Sequence, residues 1–352
     1  MKMTFRWYGE KDSIPLSHIR QIPAVEGVVT AVYNVPVGEV WPVEKIARLK
    51  SLCEKEQLTF EVIESVPVHE DIKLGRPARD RLIANYAETI RNLGAAGVKC
   101  ICYNFMPVFD WLRTNLHTVA PDGSNALSYD HEELMRLDPH DLHLPGWDES
   151  YTPDELRGLL DAYRGMTHET LFDNLVYFLK GIMPACRETG INMAIHPDDP
   201  PWDMFGLPRI ITGMESYRRL FAAVPDVQNG ITFCTGSLGA GRENDLVAMA
   251  AGLAPRIHFA HLRQITLTGA HDFCESGHMT GTGSLDMYGI VRALVRNGFD
   301  GYVRPDHGRN IWGEDGKPGY GLYDRALGAM YLAGLFEAIE KEKSEETGGK
   351  QL

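Results

Sequence analysis

The sequence predicts an α/β fold, a TIM (β/α)8 barrel with long insertions in the βα loops at the C-terminal face. Three observations carry that prediction. Short β-rich runs alternate with helical stripes along the chain, as repeated βα units of a parallel sheet require. About eight such units can be found, the number that closes a barrel. Four apolar runs also end on side chains suited to metal binding or proton transfer: Met193-Ala194-Ile195 on His196, Gly230–Phe233 on Cys234, Ile257–Ala260 on His261, and Gly301–Val303 on Arg304-Pro305-Asp306-His307-Gly308-Arg309. Strand ends of this kind converge on one mouth of an α/β barrel, where its active sites sit.

In chain order the expected strands are Met3–Trp7, Gly27–Tyr33, Thr59–Ile63, Val98–Asn104, Asn192–His196, Gly230–Cys234, Ile257–His261 and Gly301–Pro305, each with a helix candidate after it. Val43, Ile46, Ala47, Leu49, Leu52 and Cys53 form one apolar stripe at helical spacing, and Leu171, Leu175, Phe178, Leu179 and Ile182 form another. The clearest helix starts at the N-cap Asp286, shows Met287, Ile290, Val291, Leu294 and Val295 on one face, and stops before Gly298. It leads directly into the Gly301 strand.

Residues 105–167 carry no strand pattern and are too long for an ordinary connection, so they read as a lid or an oligomer contact. Within them Thr152-Pro153-Asp154-Glu155 is a capping box with proline at the first helical position, which predicts a helix from Pro153 to about Tyr163. Shorter insertions, Pro197–Gly213 and Arg263–Gly283, follow His196 and His261 and should also hang over the mouth. Residues 1–340 are read as one catalytic domain, and the charged, glycine-ended tail 341–352 as disordered.

The composition is that of an ordinary globular chain, and 352 residues suffice for one large barrel. A net charge of −13 argues against a nucleic-acid partner, whose phosphates need clustered lysine and arginine. The N-terminus has no apolar core of signal-peptide length and no later run approaches a membrane span, so the expectation is a cytoplasmic protein without a membrane partner. Cys53, Cys100, Cys102, Cys186, Cys234 and Cys274 show no C-x-x-C pairing, and all but Cys234 read as buried or free thiols.

The strand ends together suggest a metal site of His196, Cys234, His261 and Asp306, with His307 beside it as an acid or base. Pro197-Asp198-Asp199-Pro200-Pro201 stops strand and helix alike after His196, which turns the chain out as a loop. His258, inside its strand, reads as a core or surface residue. Phe5-Arg6-Trp7-Tyr8 ends at the same rim, so Arg6 and Trp7 are candidate substrate contacts, joined by Asn104, Arg304 and Arg309 at or beyond their own strand ends. A basic mouth or a divalent cation would let an acidic chain accept an anionic substrate. Gly236-Ser237-Leu238-Gly239-Ala240-Gly241 lacks the order of a nucleotide-binding loop and reads as a flexible one. His117, His131, His140 and His143 have no ligand spacing and are left structural or solvated.

Phe5-Arg6-Trp7-Tyr8-Gly9, Ala194-Ile195-His196-Pro197-Asp198-Asp199-Pro200, Arg304-Pro305-Asp306-His307-Gly308-Arg309 and Pro318-Gly319-Tyr320 resemble the motifs of the D-mannonate dehydratase family, over nearly the whole chain. The resemblance implies a barrel of the xylose-isomerase-like group and dehydration of D-mannonate to 2-keto-3-deoxy-D-gluconate in hexuronate (glucuronate) catabolism. It also implies a homo-oligomer, dimer or tetramer, and a divalent metal, usually Mn2+, with Fe2+ or another divalent ion as alternatives. The family's ligands fall on His196, Cys234, His261 and Asp306, and its acid/base groups on His307 and Tyr320. Two other readings compete: a metal-dependent sugar isomerase or epimerase of the same barrel type, and a non-catalytic carbohydrate-binding protein with a structural metal.

Overall fold

Eight parallel strands close on themselves in the computed structural model, which describes residues 1–138 and 151–348. The strands of the described residues are β1 (Lys2–Arg6), β2 (Gly27–Thr30), β3 (Thr59–Glu64), β4 (Cys100–Tyr103), β5 (Asn115–Val119), β6 (Asn125–Tyr129), β7 (Asn192–Ile195), β8 (Asn229–Cys234), β9 (Ile257–Leu262), β10 (Gln264–Leu267), β11 (Phe273–Ser276) and β12 (Tyr302–Pro305). The barrel runs β1-β12-β9-β8-β7-β4-β3-β2, with β1 pairing β2 to close it. All eight expected strands are present within one to three residues at each end. They were readable because each is a short apolar run flanked by glycine, proline or a helix cap.

The barrel interior is small and filled: Val29, Val62, Cys100, Cys102, Ala194 and Phe259 pack together, with Tyr302 against them. Burial drives the Cys100 and Cys102 thiols up, Cys102 well above its ordinary value, as expected of inert core sulfurs. Every cysteine is free, and only Cys274 is less than fully buried.

Outside the barrel the helix His168–Thr189 buries all five predicted stripe residues and ends on Gly190 at φ +71°. Met287–Arg296 follows Asp286, whose side chain accepts the Gly289 N–H, and buries the predicted face. Val43–Lys55 departs from its predicted stripe: Ile46 and Cys53 are buried, but Val43 and Ala47 are exposed.

The insertions depart further from the reading. Residues 105–167 contain a hairpin, β5 and β6, turning through Pro121-Asp122-Gly123-Ser124 with Gly123 at φ +81°. Residues 263–283 supply β10 and β11, and β11 pairs with β6, giving a four-stranded antiparallel sheet in the order β10-β11-β6-β5. Two separate loops therefore complete one sheet, which neither could form alone. The capping box at Thr152 and Glu155 is present, with the helix Pro153–Tyr163 after it. His140 and His143 lie outside the described residues.

Two further expectations are corrected. Gly236–Gly241 is not a flexible loop, since Thr235–Ala240 is a helical turn whose residues are all buried. The tail is not disordered from residue 341: the helix Tyr323–Gly348 continues through it, and Arg296 binds Glu342 and Glu346 while Lys341 binds Glu337. The remaining residues of the predicted tail lie outside the described ones.

Candidate metal centre and active site

Pairing of β8 with β9 sets Cys234 beside His261, and pairing of β9 with β12 sets His261 beside Arg304. Register partners of parallel strands share a face, so these three side chains enter the mouth as neighbours. His196 follows the last residue of β7. Its ligand nitrogen, the Cys234 sulfur and a His261 nitrogen all lie within 4.8 Å of one another. Asp306 follows β12, with Oδ2 3.6 Å from Cys234 Sγ and Oδ1 3.8 Å from His261 Nδ1.

This donor set fits a divalent transition metal. Two imidazoles and a thiolate suit borderline ions such as Fe2+ or Zn2+, and the carboxylate also suits the harder Mn2+. His196 Nδ1 donates to the Pro197 carbonyl at 2.7 Å, which leaves Nε2 as its ligand atom. The buried Asp306 Oδ1 is held by the Arg304 guanidinium at 2.6 Å, and the buried His261 Nε2 lies 3.3 Å from Glu64 Oε2.

Charge prepares the ligands. Burial alone would raise the Cys234 thiol, yet Arg263 and His196 hold it well below its ordinary value, as a thiolate. Burial likewise opposes ionisation of Asp306, and Arg304, His307 and His261 overcome it. His196, which burial would discharge, is pushed up to about 9 by Cys234 and Asp306. An arriving cation would replace that proton.

Beside the ligands, His307 Nε2 lies 2.7 Å from the Tyr320 hydroxyl. Burial pushes the Tyr320 phenol well above its ordinary value, helped by Tyr8 and Asp306. Tyr320 is placed by a tight turn in which its N–H donates to the Lys317 carbonyl, and Gly308 N–H, after the strand, donates to the Gly319 carbonyl of that turn. Gly319 sits at φ +78°, where a side chain would also meet Leu127. At the other nitrogen, His307 Nδ1 is 2.7 Å from Glu275 Oε1 and 2.7 Å from a guanidinium nitrogen of Arg263. The half-exposed Trp111 ring lies edge-on to His307, centroids 5.3 Å apart.

The structure sorts the candidate substrate contacts. Arg304 is central, binding Asp306 at 2.6 Å and Glu64 at 3.0 Å, with Nε and Nη1 buried and unpartnered. Arg6 enters the mouth against Tyr8, 4.6 Å from its ring centroid. Trp7, the next residue on an alternating strand, instead packs into the apolar core. Asn104 accepts the Met106 N–H and shapes a turn. Arg309 is committed elsewhere, to Asp324 and to Asp122 in the β5–β6 turn.

Sequence reasoning passed over Glu64, Arg113, Asp199, Arg263 and Glu275. Arg113, Arg263, Asp199 and Glu275 form a buried cluster of two cations and two anions: Asp199 binds Arg113 at 3.0 Å and Arg263 at 2.7 Å, and Glu275 binds them at 2.9 and 2.6 Å. Gly236 lets the Arg263 side chain pass, since a Cβ there would lie 1.9 Å from its Nε. Arg263 had a signal, being two residues after His261 and so on the same strand face. Asp199 stood in the quoted His-Pro-Asp-Asp-Pro run, and Glu64 one residue past a predicted strand end. Glu275 and Arg113 lie in the insertions and had none.

Comparison with known proteins identifies the family. The chain matches the model of the family described as D-mannonate dehydratase (UxuA) over residues 1–346. It is 54% identical over 357 aligned residues to the mannonate dehydratase of Thermotoga petrophila, covering 97% of this chain and 99% of that one, and equally identical to that of Thermotoga maritima. The crystal structure of mannonate dehydratase from Streptococcus suis serotype 2 superposes with TM-score 0.91 at 48% identity, covering 98% of this chain and 95% of that one. D-psicose 3-epimerase from Clostridium cellulolyticum H10 shares the fold, with TM-score 0.58 at 11% identity.

Proposed function

The chain belongs to the D-mannonate dehydratase family, a metal-dependent hydro-lyase by that membership, and we propose that His307 and Tyr320 carry out its proton transfers beside a cation held by His196, Cys234, His261 and Asp306. The observation that supports the reading is the juxtaposition of a ligand cluster with a hydrogen-bonded imidazole–phenol pair. When bound, the divalent ion, Mn2+ in this proposal, would draw electron density from the substrate's carboxylate and adjacent hydroxyl, making the C2 hydrogen acidic enough to remove.

The chain's residues do the rest. His307 Nε2 takes the C2 proton as the general base. Tyr320, kept protonated by burial, donates its proton to the C3 hydroxyl, which leaves as water. The C2–H and C3–O bonds break, and the enol that forms rearranges to the 2-keto acid. After release, the 2.7 Å contact between His307 and Tyr320 returns the proton from imidazolium to phenolate and resets the pair. Arg304 and Arg6 supply positive charge for the sugar acid, and the edge of Trp111 walls the mouth.

No helix among the described residues is long and apolar enough to cross a membrane. Our reading assigns the reaction to hexuronate catabolism in the cytoplasm. The test is 2-keto acid formation from a panel of hexonates, with chelated enzyme and with Mn2+, Fe2+ or Zn2+ restored. D-mannonate should be the best substrate and the chelated enzyme inactive. Full turnover without metal, or equal turnover of every hexonate, would overturn the reading.

A further inference from the structure

We propose that Glu275 is a positioning residue for this reaction, delivered by the sheet over the mouth, which holds the His307 ring in the tautomer whose Nε2 lone pair faces Tyr320. The inference rests on His307 as the base. Glu275 is 2% exposed, and its Oε1 is the shared partner of His307 Nδ1, Arg263 and Arg113 at 2.7, 2.6 and 2.9 Å. Its Oε2 has no partner, so the carboxylate's hydrogen bonding is concentrated on the oxygen that faces the histidine.

At that corner Nδ1, an Arg263 nitrogen and Oε1 lie 2.6–2.7 Å from one another. Guanidinium can only donate and an ionised carboxylate can only accept. A bare Nδ1 could accept from the Arg263 guanidinium, but that nitrogen already donates to Oε1 at the shorter 2.6 Å, and the bare lone pair would be set 2.7 Å from a buried carboxylate oxygen; a protonated Nδ1 joins Arg263 and Arg113 as a third donor to that oxygen. The proton therefore belongs on Nδ1, and the lone pair falls on Nε2, the atom facing Tyr320. As the C2 proton arrives, the imidazolium forms beside a carboxylate already in place.

The architecture explains how a carboxylate from an insertion reaches a barrel residue. β10 follows β9 after one residue, Arg263, so the hairpin β10–β11 is rooted on the strand that carries His261. Ile265 pairs with Glu275, and along β11 Phe273 and Glu275 are buried while Cys274 and Ser276 are less so, placing the first two on one face. Phe273 stacks on Tyr129 of β6 at 5.4 Å. Arg113, from the segment before β5, is clamped between Glu275 and Asp199. The long insertion thus buttresses the proton-transfer pair.

The test compares Glu275→Ala, Glu275→Gln and His307→Asn in Mn2+-loaded enzyme on D-mannonate. Glu275→Ala should lower kcat about 100-fold while KM and bound manganese stay within about threefold of wild type. Glu275→Gln keeps an acceptor oxygen but loses the charge that stabilises the imidazolium, and should lower kcat about tenfold. Adding Glu275→Ala to His307→Asn should cost nothing further, since the carboxylate acts only through the ring. Wild-type kcat in Glu275→Ala would overturn the inference, as would a parallel loss of metal and turnover, which marks a structural strut. If Glu275→Ala fails to fold, Glu275→Gln decides, and unchanged kcat there overturns it. Retained activity in His307→Asn would instead sink the assignment of the base.

Discussion

His196, Cys234, His261 and Asp306 stand at the ends of four barrel strands, whereas Arg113 and Glu275 arrive from a sheet assembled out of two separate loops. The first group is our candidate ligand set, with donor atoms of His196, Cys234 and His261 within 4.8 Å of one another; the second contributes ion pairs that hold Arg263 and His307. The barrel rim gathers the proposed metal site by repetition, because each βα unit returns its strand end to the same mouth. The sheet provides orientation, and must be built correctly over long sequence separations first. Changes at the rim should therefore remove metal and activity together, and changes at the sheet should remove turnover alone.

The largest effect expected from this contrast is at Cys234. Cys234→Ser should strip most of the bound metal and nearly all activity, while Cys100→Ser, packed in the barrel interior, should keep both. The two thiols are both buried, but Arg263 and His196 hold Cys234 well below its ordinary value, whereas burial pushes Cys100 above it. Metal analysis of the two purified variants checks this. Equal metal content would break the division between a reactive rim and an inert interior.

The same division accounts for what could be read from the chain. Strand ends such as Ile195-His196 and Phe233-Cys234 announce themselves because an apolar run stops on a residue that a core would not choose. Two-residue periodicity extends the reading to pairs such as His261 with Arg263 and Arg304 with Asp306. Trp7 shows its limit, since alternation sends it away from Arg6 and into the core. For Glu275 periodicity cannot help: its role depends on β11 pairing with β6, which sets Cys274 opposite the distant Ser128, and no local signal encodes that partner. Asn115-Leu116-His117-Thr118-Val119 is half solvated, so its alternation is faint, although Asp122-Gly123 marked the turn.

A smaller effect is expected at His307, which stands between the two regions. His307→Asn should lower kcat by roughly 10²–10⁴, or about 3–5 kcal/mol of barrier, with metal content and thermal stability little changed. It is bonded to Glu275 above and Tyr320 beside it, and no ligand hydrogen bond depends on its ring. If metal were lost in step with turnover, His307 would belong with the rim rather than with the sheet.

The smallest effect tests whether the whole insertion serves the site or only the part that carries Arg113. Thr152 caps the helix Pro153–Tyr163, accepting the Glu155 N–H while Glu155 accepts the Thr152 N–H at 2.8 Å. That helix packs inward through Leu156, Leu160 and Tyr163, and the Tyr163 hydroxyl donates to the buried Glu70, which is paired with Lys73. None of these groups touches His307 or a metal ligand. Thr152→Ala should cost the helix about 1 kcal/mol, seen as roughly fivefold faster amide exchange confined to the helix. Turnover and metal content should stay within twofold of wild type, because the sheet is anchored independently, through β10 on β9 and through Arg113 on Asp199. A fall in kcat from this remote cap would mean that the helix and the sheet open as one unit, and the boundary between positioning sheet and supporting scaffold would have to be drawn around the entire insertion.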